Sequence, residues 1–458
     1  MHLKYRRILY LIFITLFLLI APILIIDATG YRYNFKKNRL EKTGILYLDS
    51  QPHGALIYLN GKYQDTTPTR FSRLLPEKYF TEIRKEGFYV WQQNLEVKSN
   101  LTTFRRDITL FKISQPNNII SGEINLINAS PNGEKIIYSI IKPETEEIKI
   151  YNLKNKTNIT LISLPRNSFN QLTFLNWSPN QTKILIQKTI GNFNQYLIAD
   201  AETLNIKELN DLTSLNFENL HWGGNDDFYL YGLRNGILYQ IDSINSRVNL
   251  LSYAGISDFF SQTNTIYLIT KNQGETFLEK IKLPLSESNQ TSKIKLSVLT
   301  NLSFLPTKPG YLVLKDKKNN DLIVIKDEIF STDNINENII FTGAAKKTSF
   351  SQNDNNLLYY TDFELSFFDF ESGQKELVTR YSEPIKEAIF YPANEKYVFY
   401  ILNNAVKVIE IDSEEIKNDL ILAQPEIAEN LIIDGSGKNL YFKGKINGEN
   451  GIYQLEIQ

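Results

Sequence analysis

Imidazole is the side chain that most readily moves protons or binds metals near neutral pH, and this chain of 458 residues contains three histidines. His2 precedes an apolar stretch, His53 lies in a Pro-His-Gly turn, and His221 comes before Trp-Gly-Gly. None belongs to a ligand motif such as His-Glu-x-x-His. We predict that His53 is a solvent-facing turn residue and that His221 is a turn or packing residue.

Other reactive groups are also scarce. The chain has no cysteine, which excludes disulfides, thiolate metal sites, a Cys nucleophile and a lipid-modified N-terminal Cys. It has neither the Gly-x-Ser-x-Gly motif of a serine hydrolase nor a Gly-rich phosphate-binding loop. We therefore predict no catalytic residue, no cofactor and no metal, and a chain that is not an enzyme.

Acidic residues recur at one position of a repeated turn, in Asn225-Asp226-Asp227, at Asp354 and at Asp434. Asp and Asn in such positions bond to the backbone of the turn. The segment 434–439 offers too few oxygen ligands for a calcium loop. Carboxylates from separate repeats can still pair for glycoside hydrolysis, so a hydrolase or lyase acting on polysaccharide stays open as an alternative.

The net charge of −1 conceals two regions of opposite sign. Residues 1–112 contain 18 Lys/Arg and 9 Asp/Glu, a net of +9, and the totals of 50 and 51 leave 32 basic and 42 acidic residues, a net of −10, for 113–458. The larger region repels nucleic-acid phosphates, so we predict no nucleic-acid partner. The basic N-terminal region suits anionic lipid or wall polymer.

An uncharged apolar segment, 8–26, follows a short basic N-terminus. As a helix it covers most of a hydrocarbon core of about 30 Å. A cleaved signal peptide is the alternative, but its apolar core is about 7–15 residues long and ends at a small-x-small site, which this sequence matches poorly. We predict an uncleaved transmembrane signal anchor at 8–26, with residues 1–7 in the cytoplasm.

Basic and aromatic residues continue through a juxtamembrane stalk at 27–43. Because Lys and Arg flank the apolar segment on both sides, the positive-inside rule alone does not decide the topology. A very short basic N-terminus before a long domain favours export of everything that follows the anchor. The Tyr and Arg residues from Tyr31 to Arg39 suit the lipid headgroup zone.

Short alternating segments fill residues 44–112. Residues 44–50 and 55–60 have the pattern of strands, and Asn60-Gly61 is a strong hairpin turn because both residues accept positive φ. Residues 78–87 alternate like a half-buried strand. About six short strands in so few residues predict a small antiparallel β-sandwich.

Five landmarks follow one another in this module: Ser50-x-Pro52-x-Gly54-Ala55, Tyr58-x-Asn60-Gly61-Lys62, Thr67-Pro68, Leu75-Pro76-x-x-Tyr79, and Lys85-x-Gly87-Phe88 with Trp91. In this order they resemble the PEGA domain family, named for a Pro-Glu-Gly-Ala motif. Two positions depart from the family pattern, since His53 replaces the Glu and Glu77 replaces a Gly. The resemblance implies a β-sandwich found on envelope proteins of bacteria and archaea, with roles in attachment and no catalysis. The motif residues, which we expect to be structural, are Pro52, Gly54, Ala55, Asn60, Gly61, Thr67, Pro68, Pro76, Tyr79 and Gly87.

Residues 113–458 repeat one unit, a turn rich in Ser, Pro, Asn and Gly followed by two apolar strands separated by a polar loop. Units start 38–48 residues apart, near the length of a four-stranded propeller blade. Residues 177–180, Trp-Ser-Pro-Asn, resemble the signature of TolB-like and WD-repeat-like propellers. We predict an all-β fold after the transmembrane helix, with a propeller of about eight blades, seven being possible, completed by a strand from 113–125 or 102–111.

These patterns together predict a single-pass protein of the bacterial cytoplasmic membrane whose C-terminal domains are extracytoplasmic. We expect a binding or scaffold role, in which the loop-lined face and channel of the propeller bind a protein or an envelope polymer. Two alternatives stay open: a propeller-type hydrolase or lyase acting on envelope polysaccharide, and an accessory subunit of a secretion or envelope complex. Neither the ligand nor the oligomeric state follows from the sequence.

Overall fold

The computed structural model describes residues 3–209, 217–224, 227–245, 247–251, 254–262, 264–283, 292–296, 301–305, 310–327, 330, 339–351, 355–412 and 415–458. The chain divides into two compact units. The first comprises Met1–Ser114 with Ile409–Leu420 and Ile457–Gln458, and the second comprises Gln115–Val408 and Ile421–Glu456.

Helix α1 (Leu3–Ala28) opens the first unit and contains Pro22. Its segment Ile8–Ala28 is long and apolar enough to cross a membrane, a criterion that a signal sequence also meets. The apolar side chains of this segment are exposed, as side chains that face lipid must be. The helix gives way to a turn at Gly30, which has a φ of 81° that glycine adopts without strain.

A short antiparallel hairpin follows the helix and consists of β1 (Tyr31–Asn34) and β2 (Arg39–Lys42), which pair from Tyr31↔Lys42 to Asn34↔Arg39. The backbone N–H of Thr43 donates to Gly30 O at 2.8 Å, which closes the base of the hairpin beside the helix end. The juxtamembrane stretch is therefore folded.

Seven strands of the first unit form a β-sandwich of two sheets, with strand orders β6-β3-β9 and β5-β4-β7-β8. Inward-facing side chains of both sheets, among them Leu46, Leu48, Ile57 and Ile83, build one buried core. The strands are β3 (Gly44–Gln51), β4 (Leu56–Leu59), β5 (Lys62–Thr66), β6 (Thr69–Leu74), β7 (Lys78–Arg84), β8 (Trp91–Glu96) and β9 (Thr102–Thr109).

One strand pair of the sandwich differs from the sequence prediction. Strand β9 runs parallel to β3, with Ile45 opposite Thr102, so the prediction of an antiparallel sandwich is wrong at this pair. Parallel neighbours require a crossover connection, and here the chain passes through the other sheet between β3 and β9. Side-chain alternation reports which face of a strand is buried and carries no information about its partner.

Eight four-stranded sheets make up the propeller within the described part of the chain. We number these sheets as blades 1 to 8. Blade 1 contains β11 (Glu123–Ala129), β12 (Lys135–Ile141), β13 (Thr145–Asn152) and β14 (Thr157–Pro165), and blade 2 contains β15 (Gln171–Trp177), β16 (Lys183–Ile190), β17 (Phe193–Asp200) and β18 (Ile206–Glu208). Blade 3 contains β19 (Asn219–Trp222), β20 (Tyr229–Arg234), β21 (Ile237–Asp242) and β22 (Val248–Leu250), and blade 4 contains β23 (Ile256–Gln262), β24 (Thr265–Asn272), β25 (Glu275–Lys282) and β26 (Ser292–Leu296).

Blades 5 to 7 follow the same order, and a 3-10 helix (Arg166–Ser168) lies between blades 1 and 2. Blade 5 contains β27 (Leu302–Leu305), β28 (Tyr311–Asp316), β29 (Asp321–Lys326) and β30 (Ile339–Ala344), and blade 6 contains β31 (Lys347–Phe350), β32 (Asn356–Tyr360), β33 (Glu364–Asp369) and β34 (Lys375–Arg380). Blade 7 contains β35 (Ile385–Phe390), β36 (Tyr397–Leu402), β37 (Ala405–Glu410) and β38 (Asp419–Ala423). Blade 8 contains β39 (Ile427–Ile433), β40 (Asn439–Ile446), β41 (Glu449–Glu456) and β10 (Asn117–Ser121).

Contacts between the first strands of neighbouring blades arrange the sheets in a ring. They join β11 to β15, β15 to β19, β19 to β23, β23 to β27, β31 to β35 and β35 to β39, and β39 returns to β11. Blades 5 and 6 share a buried apolar cluster that includes Phe341 and Tyr359. The ring is closed by β10, which pairs with β41 and belongs to the predicted segment 113–125; the alternative strand at 102–111 is wrong, because β9 is committed to the sandwich.

The two apolar strands of each predicted unit are the second and third strands of a blade. In β12, for example, Ile136, Ile137, Tyr138 and Ser139 are consecutive buried residues. A strand covered on both faces by neighbouring blades reads as a continuous apolar run, which is why these strands are visible in the sequence. The eight repeats counted in the sequence therefore correspond to eight blades.

Candidate functional site

Five motif residues of the sandwich, at 52, 54, 55, 67 and 68, lie in two turns that are hydrogen-bonded to each other. Thr67 N–H donates to Ala55 O at 2.9 Å, Thr67 O accepts from Gly54 N–H at 2.7 Å, and Thr67 Oγ1 accepts from Ala55 N–H at 3.1 Å. Ser50 Oγ lies 2.7 Å from Thr67 Oγ1 and 3.0 Å from Pro52 O. The peptide bonds before Pro52 and Pro68 are both cis. These contacts are structural and occupy the groups that the motif supplies.

The remaining motif residues shape other turns of the sandwich. Asn60 and Gly61 have φ values of 51° and 76° at the β4–β5 turn, and Asn60 Oδ1 accepts a hydrogen bond from Phe80 N–H. Tyr79 donates its hydroxyl to Leu75 O, beside Pro76, and burial raises the pKa of Tyr79 to about 12. Gly87 has a φ of 80°. None of these groups is arranged for proton transfer.

His53 and His221, the two histidines within the described residues, lie in different surroundings, and His2 lies outside those residues. The exposed ring of His53 contacts Asp49 Oδ1 at 3.0 Å. His221 lies on β19 rather than in a turn; its ring packs edge-on against Phe259, and Nδ1 is 3.3 Å from Asn176 Nδ2. Burial lowers the pKa of His221. A largely buried imidazole between aromatic and amide side chains acts here as a packing residue.

Glu410, Asp412 and Asn418 contact the open edges of β8 and β9 within the first unit. The side-chain amide of Asn418 donates to Gln92 O and accepts from Gln92 N–H, both at 3.1 Å, in the manner of a neighbouring strand. Buried Glu410 accepts from Trp91 Nε1 at 2.8 Å and lies 3.3 Å from the Arg105 guanidinium. Burial raises the pKa of Glu410, although Arg105 opposes that shift. This polar cluster gave no motif in the sequence.

The repeated turn joins the first and second strands of a blade and has one geometry in several blades. In blade 1, Ser130 N–H donates to Lys135 O, and Ser130 Oγ accepts from Lys135 N–H at 2.9 Å. The same backbone and Oγ bonds link Ser178 to Lys183 and Ser351 to Asn356. The turn is therefore retained where its sequence has diverged.

Asp434 occupies the serine position of this turn in blade 8. Its carboxylate accepts from Ser436 Oγ, from Lys438 N–H and from Asn439 Nδ2, at 2.7 to 2.9 Å. Asp227 similarly accepts from Asn180 N–H and Thr182 Oγ1 of the preceding blade. Asn225, Asp226 and Asp354 lie outside the described residues. Among the residues that are described, no group of three or more His, Asp or Glu side chains is placed to hold a metal ion.

Polar bonds also join the first strands of neighbouring blades. Asp258 of blade 4 accepts from Asn219 Nδ2 of blade 3 and from Phe304 N–H of blade 5. Glu387 of blade 7 accepts from Leu431 N–H of blade 8 at 3.2 Å, and burial raises its pKa. Sequence reasoning missed both carboxylates, because each lies in an ordinary alternating strand. Both are used to hold the ring together.

A cavity of about 360 Å³ opens where blades 1, 6, 7 and 8 meet. The ends of their first strands and the following turns surround it, with Asp434 as the acidic member of the lining. The lining residues are Ala129, Ser130, Pro131, Asn132, Gly133, Ser349, Phe350, Ile389, Phe390, Pro392, Leu431, Ile432, Ile433, Asp434 and Gly435. The side chains of Asp434, Ser130 and Asn132 are hydrogen-bonded within their own turns, so the cavity presents mainly apolar side chains and turn backbone, together with Ser349.

The PEGA domain family model matches residues 43–114. No curated protein sequence matches the chain.

Similar solved structures include the dihydro-heme d1 dehydrogenase NirN in complex with DHE, at 12% identity and a TM-score of 0.49, covering 72% of this chain and 74% of that one. Another is the β-propeller domain of Cps50 (Swd1) from Myceliophteria thermophila, at 12% identity and 0.44, covering 73% and 98%. An oligogalacturonate lyase in complex with manganese follows at 11% and 0.43, covering 74% and 98%. At these identities the likeness concerns the fold alone.

The family match, the motif turns and the ring of sheets lead to one description. Residues 43–114 carry the PEGA signature on a folded β-sandwich, and the following region has the strand order of a propeller. An apolar helix with the length of a membrane span precedes both. Residues 43–114 therefore match the PEGA domain family and fold as a β-sandwich, the described residues from 117 to 456 form an eight-bladed β-propeller, and a candidate membrane-anchor helix precedes both.

Proposed function

We propose that this chain is a membrane-anchored, extracytoplasmic binding or scaffold protein of the bacterial cell envelope, whose propeller binds a partner at the cavity between blades 1, 6, 7 and 8. The observation that carries the proposal is the chemistry of that cavity. Its size lies within the range of about 300–1,000 Å³ that is usual for ligand sites. Its lining of apolar side chains and turn backbone is suited to binding.

The partner that best fits this lining is a protein segment with an apolar side chain. Phe350, Ile389 and Pro392 supply apolar contact area, and the turns at 130–133 and 434–435 supply backbone groups for orientation. Sugar polymers expose many hydroxyl groups, which require free polar side chains, and the carboxylate of Asp434 is already occupied. A protein partner is therefore favoured over an envelope polymer.

Site-specific photo-crosslinking tests this proposal in cells. Benzoylphenylalanine replaces Phe350 at the cavity, and a matched variant carries it at Phe193, which is exposed at the β16–β17 turn of blade 2. We expect a discrete, light-dependent protein adduct at position 350 and none at 193. Equal labelling at both positions, or an adduct with polysaccharide alone, would contradict a protein-binding cavity.

The enzymatic alternative predicts a different result. A propeller-type hydrolase or lyase acting on envelope polysaccharide would release new chain ends when the purified full-length protein is incubated with that polymer. We expect no release above a protein-free control. Release that is lost when the cavity is blocked by Phe350→Trp would overturn the binding proposal in favour of catalysis.

Topology is tested separately with protease on spheroplasts. The proposal places everything after the helix outside the cytoplasmic membrane, so added protease should degrade epitopes in the propeller without detergent. Protection of those epitopes until the membrane is dissolved would contradict the extracytoplasmic location. Resistance to carbonate extraction distinguishes an uncleaved anchor from a cleaved signal.

A further inference from the structure

The hairpin β1–β2 has two chemically different faces. On one face, Asn34 Nδ2 donates to Glu41 Oε2 at 2.7 Å, and Arg32 donates to Arg73 O at 3.0 Å. Asn34 and Glu41 are buried there. Cross-strand partners share a face, so the opposite face carries the pairs Tyr31–Lys42 and Tyr33–Leu40.

That opposite face is exposed and largely apolar. Tyr31, Tyr33 and Leu40 are 39%, 42% and 49% exposed, and Phe35 at the tip is 86% exposed. The ring of Phe35 meets Tyr33 edge-on at 5.0 Å, which extends one aromatic surface from the strand to the tip. Large apolar side chains grouped on one side of a small hairpin mark a surface that a partner covers.

The position of the hairpin in the chain identifies that partner. Ile8–Ala28 comprises 21 residues, which at 1.5 Å per residue span about 32 Å, close to the hydrocarbon thickness of about 30 Å. Tyr31 follows three residues later. The helix end is also tied to the sandwich, since Asp27 pairs with Arg73 at 2.7 Å. The hairpin therefore begins at the depth of the lipid headgroups.

The charge of the hairpin agrees with that surface. Residues 29–43 contain five basic residues and one acidic residue, a net of +4. The acidic residue, Glu41, is on the buried face and is paired with Lys37 and Arg39. Tyrosine beside lysine and arginine is the composition that anchors segments at anionic membrane interfaces.

We infer that the hairpin lies on the membrane surface, with Tyr31, Tyr33, Leu40 and Phe35 among the headgroups of anionic lipids and the Arg32–Asn34–Glu41 face toward the sandwich. The inference rests on the membrane anchor of the proposed function and goes beyond it. It adds a second lipid contact that fixes the sandwich at the membrane, so that the first unit does not swing freely on the helix.

Nitroxide labelling of the full chain in lipid nanodiscs tests this inference. Because the chain lacks cysteine, Phe35→Cys creates a single labelling site, and Phe193→Cys is the matched control at an exposed phenylalanine of the propeller. In nanodiscs of 3:1 phosphatidylcholine and phosphatidylglycerol, we expect the ratio of oxygen to nickel-chelate collision rates to be several-fold higher at position 35 than at 193. Replacing phosphatidylglycerol with phosphatidylcholine should lower the ratio at 35 by about twofold or more and leave 193 unchanged.

Equal collision-rate ratios at the two positions, or a ratio at position 35 that does not change with lipid charge, would contradict the inference. A label at 35 shielded from both oxygen and nickel would show that protein covers the hairpin, which also overturns it. These outcomes are distinct from failure of the anchor itself. A chain that carbonate extracts from membranes contradicts the anchor in the proposed function, whereas an anchored chain with a water-exposed label at 35 contradicts the hairpin alone.

Discussion

The sandwich and the propeller are both held by tight turns, and they make different demands on sequence. In the sandwich, Thr67 uses its backbone N–H, its carbonyl and its hydroxyl on three separate partners. In the propeller, the turn residue needs a buried side-chain oxygen, which Ser130 and Asp434 both provide. Ser130 uses all three groups as well, but its partners lie within the same turn, from Asn132 to Lys135, whereas those of Thr67 lie 12 to 17 residues away. A turn that closes on itself accepts different residues with a side-chain oxygen, whereas a position that joins distant segments has to match each of them.

The two regions also differ in how they use charged side chains. The first unit contains a buried ion pair, with Arg105 and Glu410 3.3 Å apart, whereas the propeller turns rely on bonds to backbone N–H groups. Perturbing charge should therefore damage the first unit, and exchanging turn residues should be tolerated by the second.

The largest effect is expected for Arg105→Leu. This change leaves the carboxylate of Glu410 buried without its counter-ion, which typically costs about 3–5 kcal/mol. Hydrogen exchange of the β8 and β9 amides should show a loss of protection of that size. Arg106→Leu is the matched control, because Arg106 is exposed and stacks on Phe104, and it should cost less than about 1 kcal/mol. Similar losses for both variants would show that the ion pair is not what holds these strands.

A smaller effect is expected for Thr67→Val. The substitution keeps the side-chain shape but removes the oxygen that accepts from Ala55 N–H, so the free energy of local opening should fall by about 1–3 kcal/mol. Hydrogen exchange of the backbone amides of residues 54, 55 and 67 measures this change in the free energy of local opening. Thr66→Val, at the adjacent half-buried position, should change exchange by less than about 0.5 kcal/mol. If Thr67→Val were equally mild, the motif position would not owe its identity to these bonds.

Replacing the turn residue of a propeller blade should reduce stability by a smaller amount still. Asp434→Ala removes the turn acceptor and should destabilise blade 8 by about 1 kcal/mol, whereas Asp434→Ser should recover about half or more, because serine fills this position in other blades. Thermal unfolding and exchange of the β39–β40 turn measure both. If serine were as damaging as alanine, the turns would not be interchangeable, and the contrast between the two regions would weaken.

Acid should loosen the hairpin formed by β1 and β2. Hydrogen bonds from Asn34 and Arg39, with Lys37 nearby, lower the pKa of Glu41 from 4.5 to about 2. A lowered carboxyl pKa contributes stability above the unfolded pKa, and that stability is lost as pH falls from about 4.5 toward 2. The mobility of a nitroxide at Phe35→Cys should rise over that interval, and Glu41→Gln should make the label mobile at all pH values. A label at Phe193→Cys that responds in parallel would indicate general unfolding instead.

Much of the fold could be predicted because its signals are local. The β4–β5 turn follows from Asn60 and Gly61, whose positive φ values are intrinsic preferences. The second and third strands of each blade follow from continuous apolar runs such as 136–139. What could not be predicted depends on partners distant in sequence. The parallel pairing of β9 with β3 and the contact of Asn418 with β8 bring together segments whose individual patterns are ordinary.

The candidate site was predictable only in outline. Loops on one face of the propeller were expected to bind, but the four blades that form the cavity follow from how the turns at 130–133 and 434–435 approach each other. Gly435 N–H donates to Gly133 O at 3.0 Å, and a Cβ at Gly435 would lie 2.3 Å from Asn132 O. Only glycine permits that approach, and two glycines in separate repeats give no sign in the sequence that they meet.

The pairing of β10 with β41 also imposes an order on biogenesis. The ribosome makes β10 before any other strand of the propeller, yet its partner β41 is made after all seven intervening blades. Strand β10 therefore leaves the ribosome without its partner and stays unpaired until β41 has been made. An unpaired strand edge is open to pairing with other chains. Fast completion of the chain, or a chaperone that covers β10, would shorten the time for which this edge is exposed.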